Sequence, residues 1–170
     1  MNLFKISTLL CLCISTSSWA LSDDTEQPIY IDSDTQNLDI QNNIVTFTGN
    51  VVLRQGSIDI RADKVVVTRP KGQEGQEGQE VIDAYGKPAT FHQIMDDGKP
   101  IDGESLEMRY LTATEFLKMT NEALLIQDGS EIRGKVITYK IDEQKLAAQS
   151  GDKKRVTTIL QPAQLNSNKK

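Results

Sequence analysis

The stretch Val45-Thr46-Phe47-Thr48-Gly49-Asn50-Val51-Val52-Leu53-Arg54-Gln55-Gly56-Ser57-Ile58-Asp59-Ile60-Arg61-Ala62-Asp63-Lys64-Val65-Val66-Val67 decides the fold. Its inward positions are odd-numbered at first, at Val45, Phe47, Val51 and Leu53. Across Gln55-Gly56-Ser57 they become even, at Ile58 and Ile60, and near Asp63-Lys64 they return to odd, at Val65 and Val67. Alternation with period two is the pattern of a strand with one face toward a core. Slipping by one residue turns every side chain to the other face, so each change of phase marks a turn or a bulge.

The pattern recurs farther along. Residues 117–139 lie over residues 45–67 without a gap, with Thr120, Leu125, Gln127, Ile132 and Arg133 repeating Thr48, Leu53, Gln55, Ile60 and Arg61. Leu117, Met119, Ala123 and Leu125 hold the odd phase, Gln127-Asp128-Gly129 breaks it, and the phase returns near Lys135-Val136 to give Ile137 and Tyr139. Two copies that flip at matching places are one meander used twice, and the repeat is too long for a solenoid unit.

Elsewhere Ile29 and Ile31 flank Tyr30, Leu38 and Ile40 flank Asp39, and Leu106, Met108 and Tyr110 share a face opposite Glu107 and Arg109. Turn signals come at short intervals, at Asn42-Asn43, Gly49-Asn50, Asp96-Asp97-Gly98 and Ser150-Gly151-Asp152. Many short strands with such punctuation predict an all-β sandwich, barrel or jelly roll. A single helical turn is expected between Ser22 and Gln27, where acidic residues can open it.

The N-terminus reads as an export signal. Lys5 precedes an apolar run from Ile6 to Ile14, and small residues lead to Ser18-Trp19-Ala20. That is a charged region, a short apolar region and a small-x-small cleavage site, so cleavage is expected after Ala20. The run is shorter than the roughly 20 apolar residues that span a bilayer. Residues 21–165 then form one domain, a size able to bury a core. Both cysteines, Cys11 and Cys13, lie in the removed segment, which leaves no disulfide and no Cys-based metal site. With Lys5 gone, 18 basic residues stand against 24 acidic ones. That balance opposes nucleic-acid binding and charge-driven adsorption to an anionic membrane. Residues 70–80 repeat Gly-Gln-Glu three times with nothing apolar to bury, and read as a flexible surface loop. The polar residues 166–170 read as a disordered tail.

Catalytic parts are missing. The single histidine, His92, alternates with Phe91 and has no cysteine or second histidine to share a metal. Asp23-Asp24, Asp32/Asp34, Asp96-Asp97 and Asp102 with Glu104 sit beside turn residues, where solvated carboxylates are ordinary. A paired-carboxylate glycosidase needs two carboxyls across a cleft. Neither a phosphate-cradling glycine loop nor Gly-x-Ser-x-Gly occurs. No enzyme, cofactor or metal is expected.

Several runs carry a family resemblance: Asp24-Thr25-Glu26-Gln27-Pro28-Ile29, Val45-Thr46-Phe47-Thr48-Gly49-Asn50-Val51, Ala62-Asp63-Lys64-Val65-Val66-Val67-Thr68-Arg69-Pro70, Tyr85-Gly86-Lys87-Pro88-Ala89-Thr90-Phe91 and Lys154-Arg155-Val156-Thr157-Thr158-Ile159-Leu160. They resemble the OstA-like/LptA family of periplasmic lipopolysaccharide-transport proteins over essentially the whole chain beyond the signal, departing at the Gly-Gln-Glu loop, which looks expanded. The resemblance implies an open, twisted antiparallel β jelly roll and a periplasmic carrier with no enzymatic activity. Such a carrier receives lipopolysaccharide from LptC and the inner-membrane LptBFG complex. It passes the lipid to the N-terminal domain of LptD in the outer-membrane LptDE translocon, for outer-membrane assembly, and stacks head to tail with itself. Lipid A acyl chains ride in the apolar interior.

Inward apolar positions carried over from the family are Ile29, Ile31, Phe91 and Tyr110; alternation alone adds Leu38, Phe47, Met108 and Met119. Each serves equally as plain core. Arg69, before Pro70, is placed to meet a phosphate at a groove mouth or to be a solvated strand end. Two rival readings stay open, a structural β-domain that binds only protein partners and a jelly-roll carbohydrate-active enzyme.

Overall fold

The structure, a computed structural model, describes residues 24–70, 79–151 and 154–161. The expected signal segment, all but the ends of the Gly-Gln-Glu loop and the C-terminal tail lie outside the described residues. Among the described residues ten strands form one antiparallel sheet: β1 (Tyr30–Asp32), β2 (Thr35–Asp39), β3 (Ile44–Gln55), β4 (Ile58–Thr68), β5 (Val81–Ile94), β6 (Pro100–Leu111), β7 (Phe116–Gln127), β8 (Ser130–Lys140), β9 (Lys145–Gln149) and β10 (Thr157–Ile159). The six long strands β3 to β8 pair in sequence order as a meander. The short strands cover its two edges in halves, with β1 and β2 both on β3, and β9 and β10 both on β8. The expected helical turn is a 3-10 turn at Asp24–Glu26.

A line of irregularities crosses the sheet and folds it into two leaves. Registry shifts between Thr48 and Val51 on β3, Arg61 and Lys64 on β4, Tyr85 and Ala89 on β5, Glu104 and Glu107 on β6, and Thr120 and Ala123 on β7. Gly49-Asn50, expected as a turn, is therefore a bulge inside β3, with φ of 83° and 46°. Bulges of this kind bend a strand and raise its twist. Leu106 sits at the β6 bend and is turned away from the buried face of Met108 and Tyr110, contrary to the expected grouping. Ser105 beside it is fully buried and satisfied, its hydroxyl donating to the Glu107 carbonyl at 2.7 Å.

The duplication holds in the pairing itself. Val45 pairs Val67 where Leu117 pairs Tyr139, Val51 pairs Ala62 where Ala123 pairs Gly134, and Gln55 pairs Ile58 where Gln127 pairs Ser130. The two hairpins close differently. Gly56 alone takes positive φ in the first, whereas Asp128 and Gly129 both do in the second, as a type I′ turn requires.

Candidate functional site

Cross-strand neighbours on the inner face line up into apolar ladders that run across the strands. One ladder passes through Val45, Val67, Ile82, Tyr110, Leu117 and Tyr139, reaching Leu38 on β2 at one end and Leu146 on β9 at the other. Beside it a second passes through Phe47, Val65, Ala84, Met108, Met119 and Ile137. On the facing leaf a third runs from Ile31 through Leu53, Ile60, Phe91, Gly103 and Leu125. Gly103 belongs there because a Cβ would meet Met119 Sδ at 2.7 Å.

At the β1–β3 edge the ladders surface in an open recess of about 500 Å3. Ile29, Ile31, Leu38 and Phe47 all line it, and Ile40 and Val45 join them. Leu38 and Ile40 are 57% and 76% exposed. Arg69 stands on the rim, paired with Glu80 at 3.3 Å. The other four predicted residues lie deeper and are closed over: Phe91, Met108, Tyr110 and Met119 are buried. Phe91 meets Tyr139 of the opposite leaf edge-on, with ring centroids 6.3 Å apart.

A few polar contacts hold the leaves together along the seam. The Tyr110 hydroxyl donates to Gln55 Oε1 at 3.1 Å, and Gln55 Nε2 donates to the Gln27 carbonyl at 3.2 Å. Asp24 accepts from the Ser57 backbone N–H at 2.7 Å, the Ser57 hydroxyl at 2.6 Å and Gln93 Nε2 at 3.2 Å. Gln144 Nε2 donates to Asp96 Oδ2 at 3.1 Å. Asp24, Gln93, Asp96 and Gln144 line a seam recess of about 290 Å3 whose charged lining among the described residues is Asp24, Asp96, Glu115 and Asp142. Burial, and secondarily the charge of Asp96, pushes the Tyr139 phenol up to about 12. Sequence reasoning missed these clasps because glutamine and aspartate at strand ends carry no periodic signal.

His92 faces outward, as expected, and its Nδ1 lies 2.8 Å from Asp102 on the neighbouring strand. Asp32 pairs with Arg54, and Asp34 accepts from Asn50 Nδ2. Among the described residues no group of three or more His, Cys, Asp or Glu is arranged to hold a metal. Nor is any helix among them long and apolar enough to cross a membrane.

Residues 30–145 match the family described as LptA/(LptD N-terminal domain) LPS transport protein. The lipopolysaccharide export system protein LptA of Escherichia coli strain K12 is 53% identical over 165 residues, which is 97% of this chain and 86% of that protein. The protein of the same name from Haemophilus influenzae is 50% identical over 155 residues, 91% of this chain and 89% of the relative. Among solved structures, the crystal structure of LptH from Pseudomonas aeruginosa superposes with a TM-score of 0.73 at 26% identity, covering 82% of this chain and 99% of LptH. LptH is described there as the LptA-homologous periplasmic component of the lipopolysaccharide transport device.

Proposed function

The chain belongs to the LptA/LptD N-terminal domain family of lipopolysaccharide transport proteins, and on that premise we propose that it is the periplasmic carrier that shields lipopolysaccharide acyl chains between its two leaves. The observation that carries this reading is the set of apolar ladders running from one sheet edge toward the other and surfacing at the β1–β3 mouth. Burying an acyl chain of about a dozen CH2 groups at ~0.8 kcal/mol each is worth on the order of 10 kcal/mol. Repulsion between an exposed phosphate and a surface carboxylate is worth only roughly 0–1 kcal/mol, so an acidic protein can carry an anionic lipid.

The interior is filled by its own side chains, so a lipid enters by parting the leaves. The seam suits that motion, since among the described residues it is bridged by side-chain hydrogen bonds and an aromatic pair, whereas the strands within each leaf are joined by backbone ladders. Ile29, Ile31, Leu38 and Phe47 would make first contact at the mouth, and Phe91, Met108, Tyr110 and Met119 would follow as the leaves open. Ladders that end at both edges continue from one copy to the next if copies stack head to tail. The same edges would receive LptC and the LptBFG complex on the inner-membrane side and the LptD domain of LptDE on the outer. This placement requires export, with the signal segment cleaved after Ala20.

The test is lipopolysaccharide binding by Leu38→Asp and Ile31→Asp. A charge in an apolar mouth should weaken binding by about tenfold or more while the β-type circular dichroism spectrum is kept. Binding equal to that of the unmodified chain in both variants would remove the mouth from the lipid path.

A further inference from the structure

The hinge side of the roll carries a second recess, of about 630 Å3, with the opposite charge to the seam. It forms where Leu106 at the β6 bend, the Asn121-Glu122 bulge of β7 and Arg133–Gly134–Lys135 of β8 meet the segment that follows β9. That segment adds Ser150, Gly151, Lys154 and Arg155. Among the described residues, four cations thus converge on one hollow whose one lining carboxylate is Glu122, in a chain whose net charge is −5. Arg133 is paired with Glu131 at 2.8 Å. Among the described residues Lys135, Lys154 and Arg155 form no ion pair.

Gly134 and Gly151 lie where the returning segment meets β8. A Cβ on Gly134 would meet the Gln149 carbonyl oxygen at 2.9 Å, and one on Gly151 would meet Lys135 Cδ at 2.8 Å. The returning segment therefore lies so close to β8 at Gln149 that Gly134 is held to hydrogen, whereas the Lys135 side chain could yield at Gly151; Lys154 and Arg155 line the same recess as Arg133 and Lys135. Like charges gathered in this way repel, which an anion in the hollow would relieve. Guanidinium groups present a fork that matches phosphate oxygens, and lysine adds a mobile point charge. At the seam, by contrast, the described lining holds four carboxylates and no cation, which disfavours a phosphate.

We propose that this hinge-side recess is a phosphate-binding site, held by Arg133, Lys135, Lys154 and Arg155. Resting on the lipid-carrier reading, it takes a phosphorylated saccharide headgroup whose chains leave the leaves at the β8 edge, beside the recess, and so retains the polar end of the cargo on the outer surface.

The experiment follows the backbone amides of the exported chain by 15N NMR. The probes are inorganic phosphate, a diphosphorylated glucosamine disaccharide without acyl chains, and an acylated disaccharide stripped of phosphate. The disaccharide should shift Gly134 and Gly151, and raised salt should weaken the effect. The triple substitution Lys135→Ala, Lys154→Ala, Arg155→Ala should weaken it by about tenfold or more, while Lys118→Ala on the outer face of β7 leaves it unchanged. A response to the disaccharide alone assigns recognition to the headgroup; an equal response to inorganic phosphate assigns it to the phosphate itself; both sustain the site. No shift at these glycines, or shifts that survive the triple substitution, overturn it. The groove is read separately. Uptake of the phosphate-free acylated probe without any phosphate response sinks this site and leaves the carrier standing, and the reverse result sinks the carrier.

Discussion

Tyr139 shows how much one side chain depends on its place in the roll. It closes one ladder, packs edge-on against Phe91 of the other leaf, and borders the acidic seam. The neutral phenol is therefore favoured in the folded chain, with its pKa pushed up from the ordinary tyrosine range to about 12. The sign follows from linkage. The unfolded chain ionises this group first, so its contribution is complete below about pH 10 and is lost as pH rises toward about 12. Tyrosinate absorbance should lose one late-titrating group in Tyr139→Phe. The fall in urea midpoint between about pH 10 and 12 should be shallower in that variant; an unchanged slope would mean another group controls the alkaline limb. Phe91 teaches a related point. The alternation of residues 89–93 makes it inward, but nothing in the sequence distinguishes a lining position from a closed core. It is 1% exposed, so a charge there reports on folding, whereas Leu38, at 57% exposed, reports on the mouth.

At the scale of the strand, the bends explain which parts of the fold were legible. On β4 the buried positions run Ile58, Ile60 and then Val65, so the bend between Ala62 and Val65 shows in the sequence as a change of phase. On β3 they run Phe47, Val51 and Leu53, an even spacing that hides the bulge at Gly49-Asn50 and lets it pass for a turn. The bend of β6, between Ser105 and Met108, hid for another reason: buried Gly103 and Ser105 are not apolar signals, so Leu106 was drawn into the wrong face. The duplicated bulge also predicts unequal substitutions. Gly49 has φ of 83° and its Cβ would run into the Asp34 side chain, with Asp34 Cβ at 2.9 Å. Gly49→Ala should cost about 1–2 kcal/mol or more. Glu122 lies in the matching bulge of β7 with φ of 54° and gives up left-handed strain when replaced. Glu122→Gly should be neutral to stabilising by up to ~1 kcal/mol, the gain offset by glycine's freedom in the unfolded chain. Urea unfolding of both measures the contrast, and equal losses would show that the two bulges carry the same strain.

For the whole molecule, the decisive feature is that the two edges of the sheet are both short-stranded and apolar, yet unlike one another. Tyr30, Leu38 and Ile40 are exposed at the β1/β2 edge, and Val156, Ile159 and Leu160 around β10 at the other. Short edge strands limit uncontrolled pairing without removing the unpaired backbone groups. Two different edges make a heterologous contact, which propagates head to tail, whereas a symmetric dimer would bury one edge against its own copy. Blocking them one at a time separates the cases. Tyr30→Asp with Ile40→Asp disables the front edge, and Ile159→Asp with Leu160→Asp disables the rear. By sedimentation velocity the unmodified chain should grow with concentration, and each blocked form alone should stay monomeric. Mixed in equal amounts, the two forms retain one intact front and one intact rear between them. They should therefore associate once and stop at a heterodimer. A blocked form that still dimerises by itself would reveal a symmetric contact, and a mixture that remains monomeric would show that these edges do not join; either result would remove the stacked track along which the ladders could pass lipid from copy to copy.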